Sequence, residues 1–296
     1  LNKQYPGGRV SLRDSNGVPY VIVLDDTLGG VEVWKGNNAV PTSFTEQDTT
    51  NNPENTTYQG PSAAIDSSDI IHISYWSSDG KVSILRYVTF NTATDTFSGD
   101  VSVGSANSAS LTSNGTSIAI DSNDIPHIVY TGRNTNMGTT YQTVYYTNRV
   151  GGSWKTEIQI EGEANTQDCT SPEIAIDLDN IPVIVYRNAT GDDVKFAGGN
   201  TNDASSFTLF TIATVTGNWP SSIAVDDEGN IWVGYLGASN IIELRKHVYG
   251  DAFSTWSAAI NSSLAGSADI RISIVTRGSD VYVFLENNAD DIVYVK

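Results

Sequence analysis

Aromatic faces and guanidinium forks are the chemistry this chain offers most plainly. Trp76, Arg133, Tyr141, Arg187 and Trp219 fall between or at the ends of its hydrophobic runs, and Arg9 and Arg271 stand just ahead of two more. Aromatic rings take the apolar C–H face of a sugar, and a guanidinium grips a carboxylate or paired hydroxyls through parallel N–H bonds. Such a set points to a carbohydrate-binding surface, and Asp25, Asp26 and Glu286 lie in segments of the same kind. No phosphate-binding loop, dinucleotide fingerprint or nucleophile elbow occurs. One cysteine, Cys169, and the dispersed His72, His127 and His247 give zinc no ligand set. His72 and His127 share one column of a repeated pattern with Tyr20, Val183 and Trp232, and read as core residues. The turns at 177–180 and 226–230 are acidic enough for a structural calcium ion, although they lack the spacing of an EF-hand. No other cofactor is expected.

The elements that position these residues repeat about every fifty residues. The copies read RVSLRDSNGVPYVIVL (9–24), AAIDSSDIIHISYW (63–76), SIAIDSNDIPHIVY (117–130), EIAIDLDNIPVIVY (173–186) and SIAVDDEGNIWVGY (222–235), with a weaker ISIVTRGSDVYVFL at 272–285. Their anchor is Asp14, Asp66, Asp121, Asp177 and Asp226, replaced by Thr276 in the last copy. An Asp that recurs at one slot, where one strand turns into the next, serves the repeat rather than a catalytic centre. Its short side chain caps the turn by accepting backbone N–H bonds.

Each copy predicts four antiparallel strands. The second and third run through Ile, Val and Tyr positions bounded by Asp, Asn, Gly and Pro. The third strands are expected at 31–36, 82–90, 143–150, 194–199, 241–248 and 292–296, with outer strands beginning near Phe44, Val101, Trp154, Phe207 and Trp256. Self-similarity at this period predicts an all-β, six-bladed β-propeller forming one domain, with blades near 7–60, 61–115, 116–170, 171–219, 220–268 and 269–296. Small inner residues (Ser62 and Ala64, Ser117 and Ala119, Ser222 and Ala224) suit the crowded centre of such a ring, and Tyr75, Tyr130, Tyr186 and Tyr235 suit the wider periphery. The last copy stops after its third strand, so Leu1–Tyr5 is expected to supply the missing one.

A formal charge of −18 disfavours nucleic acid and anionic membranes as partners. No apolar run is long enough to insert into a membrane. Sequons at Asn55, Asn114, Asn188 and Asn261 fall in expected loops, at a density that chance explains in a chain rich in Asn, Ser and Thr.

The repeat resembles the BNR/sialidase-like group of bacterial and viral propellers, and IAVDDEGNIWVGY (223–235) is similar to NHL-type repeats. GDAFSTW (250–256) and GGSWKTE (151–157) are degenerate echoes of the Asp box of sialidases, and Arg9-Val10 partly matches their substrate-gripping Arg-Ile-Pro. The resemblance implies a leaning toward glycans, with Arg9, Arg187 and Arg271 as a carboxylate clamp if the chain is an enzyme. The family's Tyr–Glu nucleophile pair has no matching motif here. The reading is an extracellular or virion-surface recognition propeller, lectin-like or adhesive, binding a carbohydrate or cell-surface glycoconjugate. A glycoside hydrolase or polysaccharide lyase is the enzymatic alternative. A scaffold docking other protein chains is the third.

Overall fold

The structure is a computed structural model, and it describes residues 10–25, 30–50, 56–78, 83–103, 115–133, 142–161, 169–215, 221–237, 241–265, 272–286 and 292–296. Two compact units divide the chain, Leu1–Gln159 and Ile160–Lys296. Among the described residues every regular element is a β-strand.

The first unit holds three four-stranded antiparallel sheets, each formed by strands consecutive in sequence. Sheet 1 comprises β1 (Ser11–Arg13), β2 (Pro19–Asp25), β3 (Gly30–Gly36) and β4 (Phe44–Thr49). Sheet 2 comprises β5 (Thr56–Ile65), β6 (Ile70–Ser78), β7 (Ser83–Asn91) and β8 (Thr96–Ser102). Sheet 3 comprises β9 (Thr116–Ile120), β10 (Pro126–Arg133), β11 (Gln142–Asn148) and a two-residue β12 (Ile158–Gln159).

The second unit continues the series. Sheet 4 holds β13 (Cys169–Ile176), β14 (Pro182–Asn188), β15 (Asp193–Gly199) and β16 (Phe207–Thr214). Sheet 5 holds β17 (Ser222–Val225), β18 (Ile231–Leu236), β19 (Ile241–His247) and β20 (Ile260–Ala265). Sheet 6 has three described strands, β21 (Ile272–Arg277), β22 (Asp280–Glu286) and β23 (Ile292–Val295). The strand expected from Leu1–Tyr5 lies outside the described residues. Sequon residue Asn188, expected in a loop, instead ends β14 at 2% exposure, and its Oδ1 accepts the Gly191 N–H.

The recurring Asp builds one turn five times. Oδ1 of Asp66 accepts the N–H groups of Ser68 and Ile70 at 2.9 and 2.8 Å. The same two-bond pattern serves Asp14, Asp121, Asp177 and Asp226. Three residues after each Asp the backbone enters the left-handed region, at Gly17, Asp69, Asp124, Asn180 and Gly229 (φ between 59° and 85°). Gly, Asn and Asp tolerate that conformation best, which is why the fourth letter of the turn is drawn from those three. Sheet 6 departs from the rule. Its hairpin pairs Arg277 with Asp280, and Thr276, aligned with the Asp, instead donates Oγ1–H to Val225 O of sheet 5.

Neighbouring turns are clasped. Asp69 accepts Ser15 N–H and Oγ–H at 2.8 and 2.6 Å, and Asp124 accepts Ser67 N–H and Oγ–H at the same distances. In the second unit Tyr249 donates its hydroxyl to Asp179. Inner strands are stitched by their small residues: Ser62 Oγ accepts the Ile118 N–H, and Ser222 Oγ accepts the Ile274 N–H. Apolar side chains fill the space between sheets within each unit. Tyr20, Ile71, Tyr75 and Phe90 belong to one cluster, and Val183, Phe196, Val233 and Tyr235 to another.

Candidate functional site

The strand pattern decides which of the expected binding residues reach solvent. β6 runs on through Trp76 to Ser78, so Trp76 takes a core position rather than a loop position. It is 2% exposed and meets the Tyr130 ring edge-on at 5.9 Å. Arg187 lies within β14 at 1% exposure, where its Nη2 donates to Val215 O at 2.6 Å and faces Asp192 at 3.3 Å. Both residues were expected on a ligand-binding rim, and both are corrected to core positions. Arg133 ends β10, and its side chain, together with Tyr141, Trp219, Arg9 and Arg271, lies outside the described residues.

Two tyrosine–carboxylate contacts recur at one column of the repeat. Tyr75 donates its hydroxyl to Asp100, and Tyr130 donates to Glu157, each at 3.1 Å. Both tyrosines are fully buried, and burial pushes their hydroxyl pKa values up. Occurring at the same column of two successive repeats, the pairs tie outer segments to the core.

Among the described residues, one open groove of about 540 Å³ lies between sheets 2 and 3 of the first unit. Tyr87 and Thr89 on β7 and Ser98 and Val101 on β8 form one wall. Arg149, Ser153 and Trp154, from the connection between β11 and β12, form the other. That connection turns tightly because Gly151 and Gly152 both take positive φ (82° and 86°), which brings Trp154 back over the neighbouring sheet. The Trp154 ring meets Tyr87 edge-on at 4.9 Å. Its Nε1 is buried and meets no acceptor among the described residues. Arg149 is exposed at the rim, and its Nε donates to Gly152 O at 3.1 Å.

Behind Tyr87 runs a polar chain that fixes the groove wall. The Tyr87 hydroxyl lies 2.6 Å from His72 Nδ1, and His72 Nε2 lies 3.1 Å from Asp66 Oδ2. A carboxylate only accepts, so Nε2 carries the proton and Nδ1 accepts from the Tyr87 hydroxyl. Burial lowers the His72 pKa, against the opposing pull of Asp66, and keeps the ring neutral. Burial likewise raises the Tyr87 pKa, opposed by the Arg149 guanidinium. Sheet 3 repeats the Tyr–His half of the arrangement with Tyr146 and His127, while Asp121 stands 3.7 Å from His127 Nε2. The chain is thus a packing device of the repeat. It turns the Tyr87 hydroxyl into the core and leaves the ring edge to Trp154.

GGSW was legible as an Asp-box echo but not as the lip of a groove. The usable signal was two successive glycines followed by an aromatic residue, at a point where one sheet overhangs the next. Among the described residues no group of three or more His, Cys, Asp and Glu is arranged to hold a metal ion.

No family model matches the sequence, and no curated protein matches it. Solved structures do. The GH93 α-L-arabinofuranosidase of Fusarium graminearum, in complex with arabinobiose, is 11% identical over 99% of this chain and 96% of its own, with a TM-score of 0.64. The Penicillium chrysogenum α-L-arabinanase, also complexed with arabinobiose, is 9% identical over 99% and 93%, with a TM-score of 0.66. SapL1 lectin in complex with α-methyl fucoside is 12% identical over 98% and 92%, with a TM-score of 0.58. At these identities the likeness is one of fold. Six antiparallel sheets in series, with no helix among the described residues, are consistent with a propeller.

Proposed function

We propose that this protein is a carbohydrate-recognition protein that binds a saccharide in the groove between sheets 2 and 3 and does not cleave it. The observation that carries the proposal is the groove itself, where a partly exposed tryptophan, an arginine at the rim and Thr89, Ser98 and Ser153 hydroxyls converge on about 540 Å³ of open space. Trp154 supplies the ring, and Arg149 with the hydroxyls supplies directional hydrogen bonds. The setting we propose is a cell or virion surface, where glycans are displayed.

Cleavage of a glycan is the second reading, favoured by the presence of two arabinan-degrading enzymes among the similar structures. A glycan array followed by calorimetric titration, with a reducing-sugar assay on the same ligands, separates the two. The expected result is saturable binding without release of reducing ends. Trp154→Ala is expected to weaken binding at least tenfold, a loss of about 1.4 kcal/mol or more, in a variant that melts at a lower temperature but is fully folded at the temperature of the titration. Binding that survives Trp154→Ala moves the site elsewhere, and release of reducing ends makes the protein an enzyme.

A further inference from the structure

Acidic residues outnumber basic ones 34 to 16 in this chain, so a recess walled by positive charge alone runs against its composition. The groove between sheets 2 and 3 is such a recess. Its lining carries one formal charge, the Arg149 guanidinium, and the rest is hydroxyl-bearing, aromatic, aliphatic or glycine. The acids on the surrounding elements are engaged elsewhere. Asp100 of β8 accepts the hydroxyl of Tyr75, which belongs to the cluster between sheets 1 and 2. Glu157, ahead of β12, accepts the Tyr130 hydroxyl, and Asp66 bonds to His72 behind the wall.

The charge enters through the connection from third to outer strand. In sheet 3 that connection reads RVGGSWKTE (149–157), with Arg149 and Lys155 on either side of two glycines. The equivalent connections of sheets 2, 4 and 5 hold no Lys or Arg, and each carries an Asp (Asp95, Asp203 and Asp251). That of sheet 1, residues 37–43, is uncharged. Between sheets 1 and 2 a cation also stands in the wall, but Asp95 neutralises Lys35 at 2.8 Å. Among the described residues neither Arg149 nor Lys155 has an ion-pair partner.

The turn also aims the guanidinium. Arg149 Nε donates to Gly152 O at 3.1 Å, which ties the head group to the lip and leaves the Nη side without a carboxylate. The guanidinium stands close enough to the Tyr87 hydroxyl to oppose the rise in its pKa, so it bears on the groove wall. Lys155 Nζ lies beside Gly151 in the same turn and adds a second positive charge there. A guanidinium meets two oxygens of one anionic group through parallel N–H bonds, and such bonds are roughly twice as strong as those to neutral oxygens. We infer that the saccharide taken by this groove is an acidic one, whose carboxylate or sulfate group is gripped by Arg149 with Lys155 assisting at the lip. The inference rests on the carbohydrate reading above and adds the charge class of the ligand and the residue that reads it.

The test uses the full chain and oligosaccharide pairs that differ only in charge. These are galacturonate and glucuronate hexasaccharides, each beside its carboxyl-reduced form, and a 6-sulfated galactan hexasaccharide beside the desulfated one. Calorimetric titration is expected to show a charged member bound about tenfold or more tighter than its uncharged twin, and the pairs separate carboxylate from sulfate recognition. Arg149→Gln should abolish the preference, and Arg149→Lys should restore only part of it, because an ammonium cannot form the fork. Lys155→Gln should weaken the charged member about two- to threefold. Arg149 and Lys155 are both exposed, so the variants are expected to fold as the wild type does. Equal affinity within every pair, a preference that survives Arg149→Gln, or binding of uncharged glycans alone, among these pairs or on the array, would overturn the inference and leave carbohydrate binding standing. If none of these and no arrayed glycan binds, the carbohydrate reading falls and takes the inference with it.

Discussion

Asp226→Ala is expected to cost about 3 kcal/mol of stability, and Asp177→Ala about 1, although the two residues hold the same slot of the repeat. Each accepts two backbone N–H bonds through Oδ1. The difference lies at the second oxygen. Asp226 Oδ2 accepts Trp232 Nε1–H and Asn230 Nδ2–H, both at 2.9 Å. The matching position in sheet 4 is Val183, which has no donor to give. The pKa directions agree with this. Burial pushes the Asp177 carboxyl up and its backbone donors offset that only in part. Burial also acts on Asp226, but the donors from Trp232, Asn230 and the backbone outweigh it and hold the carboxyl below its ordinary value. Truncating Asp226 also strands the Trp232 N–H, whereas truncating Asp177 relieves part of a burial penalty. Urea unfolding of both variants checks the order, and equal losses would show that the second oxygen contributes nothing.

Stability is expected to fall by about 3 kcal/mol as the pH drops from about 6.5 to about 4, through His127 alone. The ring is fully buried, and burial lowers its pKa to about 4 despite Asp121. Asp121 Oδ2 is 3.7 Å from Nε2, too far for the hydrogen bond that the equivalent His72 makes with Asp66. The folded state therefore keeps His127 neutral while the unfolded chain takes up a proton near pH 6.5. The unfolded state binds more protons throughout that interval, so each step down in pH favours unfolding until the folded pKa is reached. His72, lowered in the same direction, adds to the loss. Denaturant melts at pH 7 and pH 4.5 measure the effect, and His127→Gln should flatten it. An imidazole resonance of His127 that titrates near pH 6.5 in the folded protein would overturn the account.

The sheets were legible because their signal is local and repeated. Alternation of apolar residues and turn chemistry at 121–126 predicts the same hairpin as at 66–71, and both form. The outer strands were less so. The expected start near Trp154 gives way to a two-residue β12 at Ile158, because the connection is spent on the glycine turn that brings Trp154 over Tyr87. The candidate site was the least legible part. Tryptophan and arginine look alike in sequence whether they face a ligand or the core. Trp76 and Arg187 are buried because β6 and β14 extend farther than the turn signals implied. What singles out Trp154 is the glycine turn that carries it over Tyr87 of the neighbouring sheet, and a placement of that kind is set by packing between sheets.

The clasps between turns also bear on how such a chain can change over generations. Ser67 and Asp124 belong to different repeats but form one bidentate grip, as do Ser15 and Asp69. The grip itself exists only between repeats, so a unit copied or shuffled to a new place arrives with a half-grip that its new neighbour must match. Drift at position 67 is therefore tied to drift at position 124.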